Sequence, residues 1–269
     1  MKLAGRVALV TGAASGIGRG IALALARRGC HLAISDIDDA GLVQTSALVE
    51  PFGVRCTRHR LDVVDRGAVA ALPAAIIAAH GGLDVLVNNA GVALGGTFEQ
   101  VSEADFDWLM EINFHAVVRL TRAFLPLLRT RDEARIVNVS SVFGIVSPPG
   151  QTAYSASKFA VRGFSNALRH ELAGTRVGVT VAHPGGVATA IARNARVPAG
   201  VAPELIAERR ALAERMLRMP PERAGEIIVH AVERGRARVL VGADAVVVAL
   251  LERLLPVSYW RWLARVVRA

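Results

Sequence analysis

A tyrosine and a lysine four residues apart are the side chains in this sequence best suited to proton transfer. Tyr154 and Lys158 open a segment with helical periodicity, so their spacing puts the phenol and the ammonium on one helix face. A free phenol has a pKa near 10, and a base that works near neutrality needs that pKa lowered by about 3 units, or roughly 4 kcal/mol. One cation at about 4 Å supplies a comparable energy at an effective dielectric constant near 20. The pair therefore predicts an acid–base site, with an exposed helix pair of no function as the alternative.

A glycine-rich segment follows the first predicted strand. It reads Thr11-Gly12-Ala13-Ala14-Ser15-Gly16-Ile17-Gly18, with the spacing G-x-x-x-G-x-G rather than the commoner G-x-G-x-x-G. A strand that leads through glycines into a helix places backbone N–H groups and the positive helix end against a pyrophosphate. This position between strand and helix favours a dinucleotide site over a simple chain reversal.

An acidic residue follows the second predicted strand. Asp36 comes 18 residues after Gly18, where a carboxylate can accept hydrogen bonds from the ribose hydroxyls of adenosine. The same carboxylate repels a 2′-phosphate, and neither Ser15 nor Ile37 supplies a cation that would offset the repulsion. We therefore expect NAD to be preferred over NADP. The alternative is a turn carboxylate that caps the next helix.

The elements that must position these residues alternate along the chain. Strands are predicted at residues 6–10, 31–35, 55–61, 84–88, 135–139, 177–182 and 238–241, and helix candidates include residues 17–28, 40–50, 105–128 and 155–173. Continuous apolar strands alternating with helices favour a parallel sheet covered on both faces, and right-handed crossovers make that sheet doubly wound. Pro73 and Pro126 lie inside apparent helices, where we expect a kink or a terminus.

Composition narrows the class of protein. The chain has 269 residues, 52% of them hydrophobic, and a mean hydropathy of +0.39, which excludes a disordered chain. No apolar run approaches the roughly 18 residues of a membrane-spanning helix, and the N-terminus has no signal-peptide layout. Cys30 and Cys56 offer neither a disulfide framework nor metal-ligand spacing. The net charge of +9 comes from dispersed arginines, which are more typical of a solvated surface than of nucleic-acid binding. We expect a cytoplasmic protein without a metal site or a nucleic-acid partner.

Five motifs occur in order along the chain. They are Thr11-Gly12-x-x-x-Gly16-x-Gly18, Asn88-Asn89-Ala90-Gly91, Ser141, Tyr154-x-x-x-Lys158 and Pro184-Gly185-Gly186-Val187-Ala188-Thr189. Together they closely resemble the single-domain branch of the short-chain dehydrogenase/reductase family, over about residues 3–242. The resemblance implies an α/β fold with a Rossmann-like, seven-stranded parallel sheet and an NAD(P)-dependent oxidoreductase acting on CH–OH groups. It also implies a homodimer or homotetramer packed through the fourth and fifth predicted helices, at residues 105–128 and 155–173.

The resemblance further implies four catalytic residues. Tyr154 would be the general acid/base, and Lys158 would lower its pKa and hold the nicotinamide ribose. Ser141 would hydrogen-bond the reacting oxygen, and Asn113 would position a proton-relay water near the lysine. Singly, each residue has a structural alternative: Ser141 as a turn cap, for example, or Asn113 as a bend in its helix around a buried water. His115 and His183 are treated as structural histidines.

The cofactor-binding residues are carried over in the same way. Asp62 and Val63 would contact adenine, Asn89 to Gly91 would line the adenosine side, and Val187 and Thr189 would hold the nicotinamide carboxamide. The full set is Gly12, Ser15, Gly16, Ile17, Gly18, Asp36, Asp62, Val63, Asn89, Ala90, Gly91, Tyr154, Lys158, Pro184, Gly185, Val187 and Thr189.

We expect residues 1–243 to form the catalytic domain, with a substrate lid at about residues 187–220. The lid is rich in apolar side chains, Met216 and Met219 among them, which indicates an apolar alcohol or ketone as substrate. Arg193 and Arg196 are interpreted as solvated lid charges in preference to an anion site. Two other functions stay open: an NADPH-dependent reductase of 3-oxoacyl chains on a carrier, and a non-catalytic nucleotide-sensing or membrane-associated protein.

Residues 244–269 are predicted to be an amphipathic helical tail. Pro256 breaks a first apolar helix, and Ser258 is a suitable N-cap for a second. On a helical wheel, one face carries Arg261, Arg265 and Arg268, and another carries Tyr259, Trp262, Leu263, Val266 and Val267. Tryptophans opposite a basic face are typical of a helix that lies in the interface of a membrane. Packing on its own subunit or on a neighbouring one is the alternative.

Overall fold

Seven parallel strands form one sheet in the computed structural model, which describes residues 1–268 except for the side chains of residues 209 and 266–268. The strands are β1 Val7–Thr11, β2 His31–Asp36, β3 Cys56–Arg60, β4 Val85–Asn88, β5 Ala134–Val139, β6 Val177–Pro184 and β7 Arg238–Val241. Their order across the sheet is β3-β2-β1-β4-β5-β6-β7, and every neighbouring pair is parallel. The order reverses beside β1, so a crevice opens between the carboxyl ends of β1 and β4.

Ten α-helices connect and flank the strands in the described chain. They are α1 Gly16–Ala26, α2 Asp39–Val49, α3 Arg66–His80, α4 Glu103–Met110, α5 Ala116–Arg129, α6 Thr152–Glu171, α7 Pro203–Met216, α8 Pro221–Glu233, α9 Ala243–Leu254 and α10 Tyr259–Arg268. Strand residues alternate between the two faces of the sheet, so Ala8 and Val10 face one apolar layer while Val7 and Leu9 face the other. The first layer includes α1, α2 and α8, and the second includes α3, α5 and α6. The predicted α/β fold, with helices on both faces of a seven-stranded parallel sheet, is confirmed.

The predicted helix at residues 105–128 is divided in the structure. A π-helical turn, Glu111–His115, separates α4 from α5 and points Asn113 into the interior, where that side chain is 1% exposed. Turns of this kind are rare and occur often at functional sites.

The two helix-interior prolines do not end their helices. Pro73 lies inside α3 and Pro126 lies near the end of α5, so neither proline marks a helix terminus, and the other expectation, a kink, stays a prediction. In α3 the buried side chains of Val69, Leu72 and Ile76 hold both halves of the helix against the sheet. This packing outweighs a local cost of about 3 kcal/mol for a proline in a helix interior.

A helical extension follows β7, as predicted. Helix α9 ends at Leu254, two residues before Pro256, and α10 begins directly after Ser258. The side chains of Val266, Val267 and Arg268, which belong to the predicted amphipathic faces, lie outside the described residues. Among the residues that are described, no helix combines the length and the apolar character needed to span a membrane.

Candidate active site

The glycine-rich segment crosses from β1 into α1 through backbone that only glycine adopts readily. Gly12 and Gly16 have φ angles of +67° and +54°, and a Cβ at Gly18 would lie 2.0 Å from the Gly12 carbonyl oxygen. The first-turn N–H groups of α1 have no intrahelical acceptor. The N-cap residue, Ser15, makes no side-chain capping bond to them either, so these N–H groups stay available to a ligand. Free amides at a positive helix end are suited to a phosphate group.

Two residues lock the ends of β1 and β4 together beside this segment. The Thr11 hydroxyl accepts hydrogen bonds from the backbone N–H groups of Asn89 and Ala90, at 3.0 and 3.1 Å. The Asn89 amide nitrogen in turn donates to the carbonyls of Thr11 and Gly12, at 2.9 and 3.2 Å. The Asn89 side chain therefore shapes the crevice through the backbone of the glycine-rich segment.

Asp36 ends β2 and supports the same segment. Its carboxylate accepts hydrogen bonds from the N–H groups of Ala14 at 3.0 Å and Asp38 at 3.1 Å. The cap of α2 is Asp38, whose carboxylate accepts from the Gly41 N–H at 3.0 Å. The alternative interpretation of Asp36 as the cap of that helix was therefore wrong. Sequence reasoning also overlooked Arg19, whose guanidinium reaches the Ala14 carbonyl and the Thr45 hydroxyl from α1.

The residues after β3 are less enclosed. Asp62 is exposed and accepts a hydrogen bond from the Val64 N–H at 3.1 Å, whereas Val63 is buried. They lie beyond the end of the strand that pairs with β2. This places them on the side of the crevice that also holds Asp36.

Lys158 is buried in α6 without a carboxylate partner in the described part of the chain. Its ammonium donates to the Val139 carbonyl at 3.3 Å and lies 5.6 Å from the centre of the Tyr154 ring. The side chain is 4% exposed, and burial lowers the pKa of Lys158 to about 8. A buried ammonium that donates to a single carbonyl has further N–H groups left to donate to a ligand.

Tyr154 is half-buried on the same face of α6, as the four-residue spacing predicts. The ring meets Phe143 edge to face, with 6.1 Å between the ring centres. Burial raises the pKa of Tyr154 to about 12, and the Ser141 hydroxyl offsets part of that increase. In the protein without a ligand, desolvation raises the pKa of Tyr154 by more than the Ser141 hydroxyl lowers it. For Tyr154 to act as a base at neutral pH, the site therefore needs positive charge beyond that of Lys158.

Ser141 begins a 3₁₀ turn, Val142–Gly144, immediately after β5. Its backbone is extended, and its hydroxyl accepts a hydrogen bond from the Phe143 N–H at 3.1 Å. The structure therefore brings the Ser141, Tyr154 and Lys158 side chains together at the carboxyl edge of the sheet. Ser141 also caps its turn, so the structural and the catalytic interpretations are compatible.

Asn113 is occupied by protein partners. Its carbonyl oxygen accepts from the Val92 N–H at 2.9 Å, and its amide donates to the Val92 carbonyl at 3.0 Å and to the Ser157 hydroxyl at 3.2 Å. A Cβ built at Gly91 would lie 3.1 Å from the Asn113 oxygen and 3.5 Å from the Lys158 ammonium. Asn113 thus fixes the loop after β4 beside the lysine.

The segment after β6 faces the glycine-rich segment from across the crevice. A Cβ built at Gly16 would lie 3.1 Å from the Thr189 methyl group, and Val187 is buried. The Gly185 N–H donates to the Val241 carbonyl at 3.0 Å. The Gly186 N–H donates to the Asp244 carboxylate at 2.6 Å, a contact that sequence reasoning did not find.

The segment predicted to be the lid contacts the body of the domain through Arg196. Its guanidinium bonds Asp105 at 2.8 Å and stacks 3.7 Å from the centre of the Trp108 ring, while its backbone pairs with Leu94. Arg196 is therefore partnered rather than freely solvated. Helix α7, which follows, leaves Leu212 and Met216 exposed.

A family model described as short chain dehydrogenase matches residues 6–199 of the sequence. The chain belongs to the short-chain dehydrogenase family. A relative within this group, described as the putative oxidoreductase SadH of Mycobacterium tuberculosis, is 43% identical over 262 residues, covering 97% of this chain and 94% of its own. The resemblance drawn from the five motifs is thereby confirmed, and the chain is a short-chain dehydrogenase whose family uses nicotinamide cofactors.

Solved structures of short-chain dehydrogenases share the fold. One from Burkholderia phymatum, in complex with NAD, has a TM-score of 0.87 and 30% identity, and the match covers 94% of this chain and 95% of that one. Another from Mycobacterium paratuberculosis, bound to NAD, has a TM-score of 0.77 and 26% identity, covering 89% and 97% of the two chains. The glycine-rich segment of this chain, with positive φ angles at Gly12 and Gly16 and an uncapped start of α1, fits the same kind of dinucleotide.

Proposed function

We propose that this short-chain dehydrogenase transfers a hydride between NAD and an apolar alcohol or ketone. The observation that carries the proposal is the grouping of a half-buried phenol, a serine hydroxyl and a buried, unpaired ammonium at the edge of the crevice. A phenol beside a cation is suited to general acid–base work, and a hydroxyl beside that phenol is suited to hold the reacting oxygen.

Each side chain has a proposed task. In oxidation, Tyr154 takes the proton of the substrate hydroxyl, and in reduction it returns that proton to the carbonyl oxygen. Ser141 donates a hydrogen bond to the same oxygen, and Lys158 supplies positive charge and binds the nicotinamide ribose. Asn113 positions a proton-relay water near Lys158, and the two side chains lie on either side of Gly91. The nicotinamide, when bound, accepts the hydride in oxidation and provides it in reduction.

The cofactor site is proposed along the crevice. Gly12, Ser15, Gly16, Ile17 and Gly18 would cradle the pyrophosphate, and Asp36 would accept from the adenosine ribose. The adenine and adenosine side would be lined by Asp62, Val63, Asn89, Ala90 and Gly91. Pro184, Gly185, Val187 and Thr189 would hold the nicotinamide side, with Tyr154 and Lys158 on its ribose. The NAD carried by two related structures and the carboxylate of Asp36 support NAD over NADP.

The substrate class rests on the lid, proposed at residues 187–220 within a catalytic domain of residues 1–243. The exposed apolar side chains of Leu212 and Met216 in α7 favour an apolar substrate. A screen of secondary alcohols and ketones with each cofactor, followed by nicotinamide absorbance, tests the proposal. Turnover of apolar substrates with NAD is expected. Turnover confined to carrier-bound 3-oxoacyl chains with NADPH would support the alternative reductase, and no turnover despite cofactor binding would support a nucleotide sensor.

We also propose a homodimer or homotetramer that associates through the helices predicted at residues 105–128 and 155–173, which are α4 with α5, and α6, in the structure. Phe98, beside the start of α4, is 73% exposed, and an apolar cavity of about 400 Å³ lies between it and Phe106. Large exposed aromatic side chains next to a cavity are typical of interfaces. Light scattering coupled to gel filtration is expected to give a multiple of 28.5 kDa. Phe98→Asp is expected to shift the mass towards one chain.

For the tail we propose peripheral contact with an anionic lipid surface. Helix α9 and the following turn expose Val246, Val247, Leu250, Leu254 and Val257, and α10 exposes Trp262. Arg253, Arg261 and Arg265 are also exposed among these apolar side chains, and their charge complements anionic headgroups. The Tyr259 hydroxyl accepts a hydrogen bond from the Ser147 N–H at 2.9 Å, which anchors α10 near the turn of Ser141.

Vesicle sedimentation tests the tail. The intact chain is expected to bind vesicles of phosphatidylserine and phosphatidylcholine in a salt-sensitive manner and to ignore pure phosphatidylcholine. A chain ending at Val257 is expected to lose that binding. If the intact chain ignores both vesicles and the shortened chain changes its oligomeric state, the tail is an assembly element instead.

A further inference from the structure

His183 is a buried histidine that touches the turn carrying Ser141. It lies near the end of β6, is 0% exposed, and its Nδ1 atom is 2.9 Å from the Ser141 carbonyl oxygen. A carbonyl oxygen only accepts hydrogen bonds, so Nδ1 carries the proton and donates. The other ring nitrogen, Nε2, is buried and has no hydrogen-bond partner in the described residues.

The Ser141 peptide is held by two donors and its hydroxyl by a third. The Gly144 N–H donates to the Ser141 carbonyl at 3.0 Å, which makes the His183 ring the second donor to that oxygen. The Phe143 N–H donates to the Ser141 hydroxyl oxygen at 3.1 Å. With both carbonyl lone pairs used, the peptide plane after Ser141 cannot rotate without loss of a buried hydrogen bond.

The surroundings of His183 keep its ring neutral. Burial lowers the pKa of His183 to about 4, and the positive charges of Arg162 and Arg238 act in the same direction, against the Ser141 carbonyl. Arg162 also donates to the Gly144 carbonyl at 3.1 Å, so it clamps the same turn from α6. A neutral imidazole with a fixed tautomer is a rigid donor over the pH range in which a dehydrogenase is assayed.

We propose that His183 is a positioning residue, which fixes the direction of the Ser141 hydroxyl towards the reacting oxygen beside Tyr154. The inference rests on the proposed function of Ser141. An imidazole with an unpaired nitrogen is costly in a strand whose neighbours, Val181 and Ala182, are buried and apolar. Packing alone does not account for a histidine here, because an aliphatic side chain would fill the space without that cost.

Two substitutions at the position separate hydrogen bonding from packing. His183→Asn keeps an amide donor near the place of Nδ1, whereas His183→Leu keeps much of the volume and removes the donor. Leu is expected to lower kcat about 10-fold with KM and the NADH dissociation constant within about 2-fold, because misplacement of one group acts on the reacting geometry. Asn is expected to recover most of kcat.

The same substitutions in a Ser141→Ala background decide the assignment. If His183 acts through the serine hydroxyl, His183→Leu costs nothing further once that hydroxyl is gone. An equal loss in both backgrounds, or a Leu variant as active as the unaltered chain, would overturn the proposal. Full activity of Ser141→Ala itself would instead overturn the proposed function of Ser141, so the two failures are distinguishable.

A spectroscopic measurement covers the case in which the Leu variant fails to fold. Nitrogen-15 NMR of histidine-labelled unaltered protein is expected to show one ring with its proton on Nδ1 that does not titrate between about pH 5 and 9. This signal is assigned by its loss in His183→Asn. A ring protonated on Nε2, or one that titrates within that range, would contradict the proposal.

Discussion

At the amino ends of the strands, Asp84 is completely buried and its carboxylate accepts hydrogen bonds from Arg6 at 3.1 Å, Arg131 at 2.8 Å and the Val7 N–H at 2.8 Å. At the carboxyl ends, Lys158 is almost as buried, yet its ammonium has one carbonyl at 3.3 Å. The first edge pairs its charge within the chain. The second edge leaves its charge with unused donors.

The pKa directions follow this difference. Hydrogen bonds from Arg6 to Asp132 and Asp84 raise the pKa of Arg6, and the same guanidinium lowers the pKa of Asp132. At the other edge, burial lowers the pKa of Lys158 and raises that of Tyr154, so both groups are pushed towards their neutral forms. The paired edge thus holds Arg6 and Asp132 in their charged forms. The other edge buries Lys158 and Tyr154 without a paired charge, as expected if a ligand completes the proposed site.

Removal of the phenol oxygen is the largest expected effect. Tyr154→Phe is expected to lower turnover by about 10² to 10⁴-fold, because the proton of the substrate then has no acceptor in the site. The NADH dissociation constant and the thermal midpoint should change little. The other tyrosine offers a matched control, since Tyr259→Phe removes an oxygen that binds only the Ser147 N–H among described residues. Undiminished turnover of Tyr154→Phe would show that the phenol at the carboxyl edge of the sheet is not the acid/base.

Loss of the buried carboxylate at the paired edge is expected to act on stability instead. Asp84→Ala should lower the free energy of unfolding by about 3 to 5 kcal/mol, because it leaves Arg6 and Arg131 without their shared partner. Urea denaturation measures the change, and turnover per folded molecule should stay constant. Asp132→Ala is the control within the same cluster, since that carboxylate is exposed and its loss should cost far less.

Replacement of the unpaired lysine is expected to stabilise the fold while it abolishes turnover. Lys158→Met removes a buried charge and keeps the volume, for a gain on the order of 2 kcal/mol at neutral pH. The pKa of Lys158 falls from 10.5 to about 8 on burial. Between these two pH values, Lys158 is therefore protonated in the unfolded chain and mostly neutral in the folded one. The penalty is complete below pH 8 and disappears as the pH rises to 10.5. Denaturation of both proteins across that window should show their difference shrinking; a constant difference would mean that the ammonium is not what strains this edge.

The strand–helix alternation was sufficient to predict the sheet, because the central strands are mostly apolar; β1, for example, reads Val-Ala-Leu-Val-Thr and is buried throughout. It could not predict the π-helical turn at Asn113, since one extra residue barely alters a helical apolar pattern. Nor could proline rules predict α3, in which buried Val69, Leu72 and Ile76 override a local cost.

The candidate site was predictable where its partners are close in sequence. Tyr154 and Lys158 share a helix face by their spacing alone. His183 and Asp244 act on backbone groups 42 and 58 residues away, so no local pattern reveals them. For Asp244, its position just past β7 is the one available signal, because carboxyl ends of parallel strands meet at one edge.

Cofactor choice is the smallest expected effect. It tests whether the Asp36 carboxylate only supports the protein backbone or also faces the bound cofactor. Its carboxylate holds the Ala14 N–H at 3.0 Å but forms no ion pair in the described part of the chain. Ile37 is 61% exposed, so an arginine there can reach a 2′-phosphate without disturbing the Ala14 contact. Ile37→Arg alone should shift the ratio of kcat/KM for NADP over NAD a few-fold, and Asp36→Ala with Ile37→Arg about 10-fold or more, because repulsion is removed as well.

If the double variant only loses stability and keeps its cofactor ratio, Asp36 is a support of the glycine-rich segment alone. An unaltered chain that binds NADPH more tightly than NADH would show that the carboxylate does not face the adenosine ribose at all.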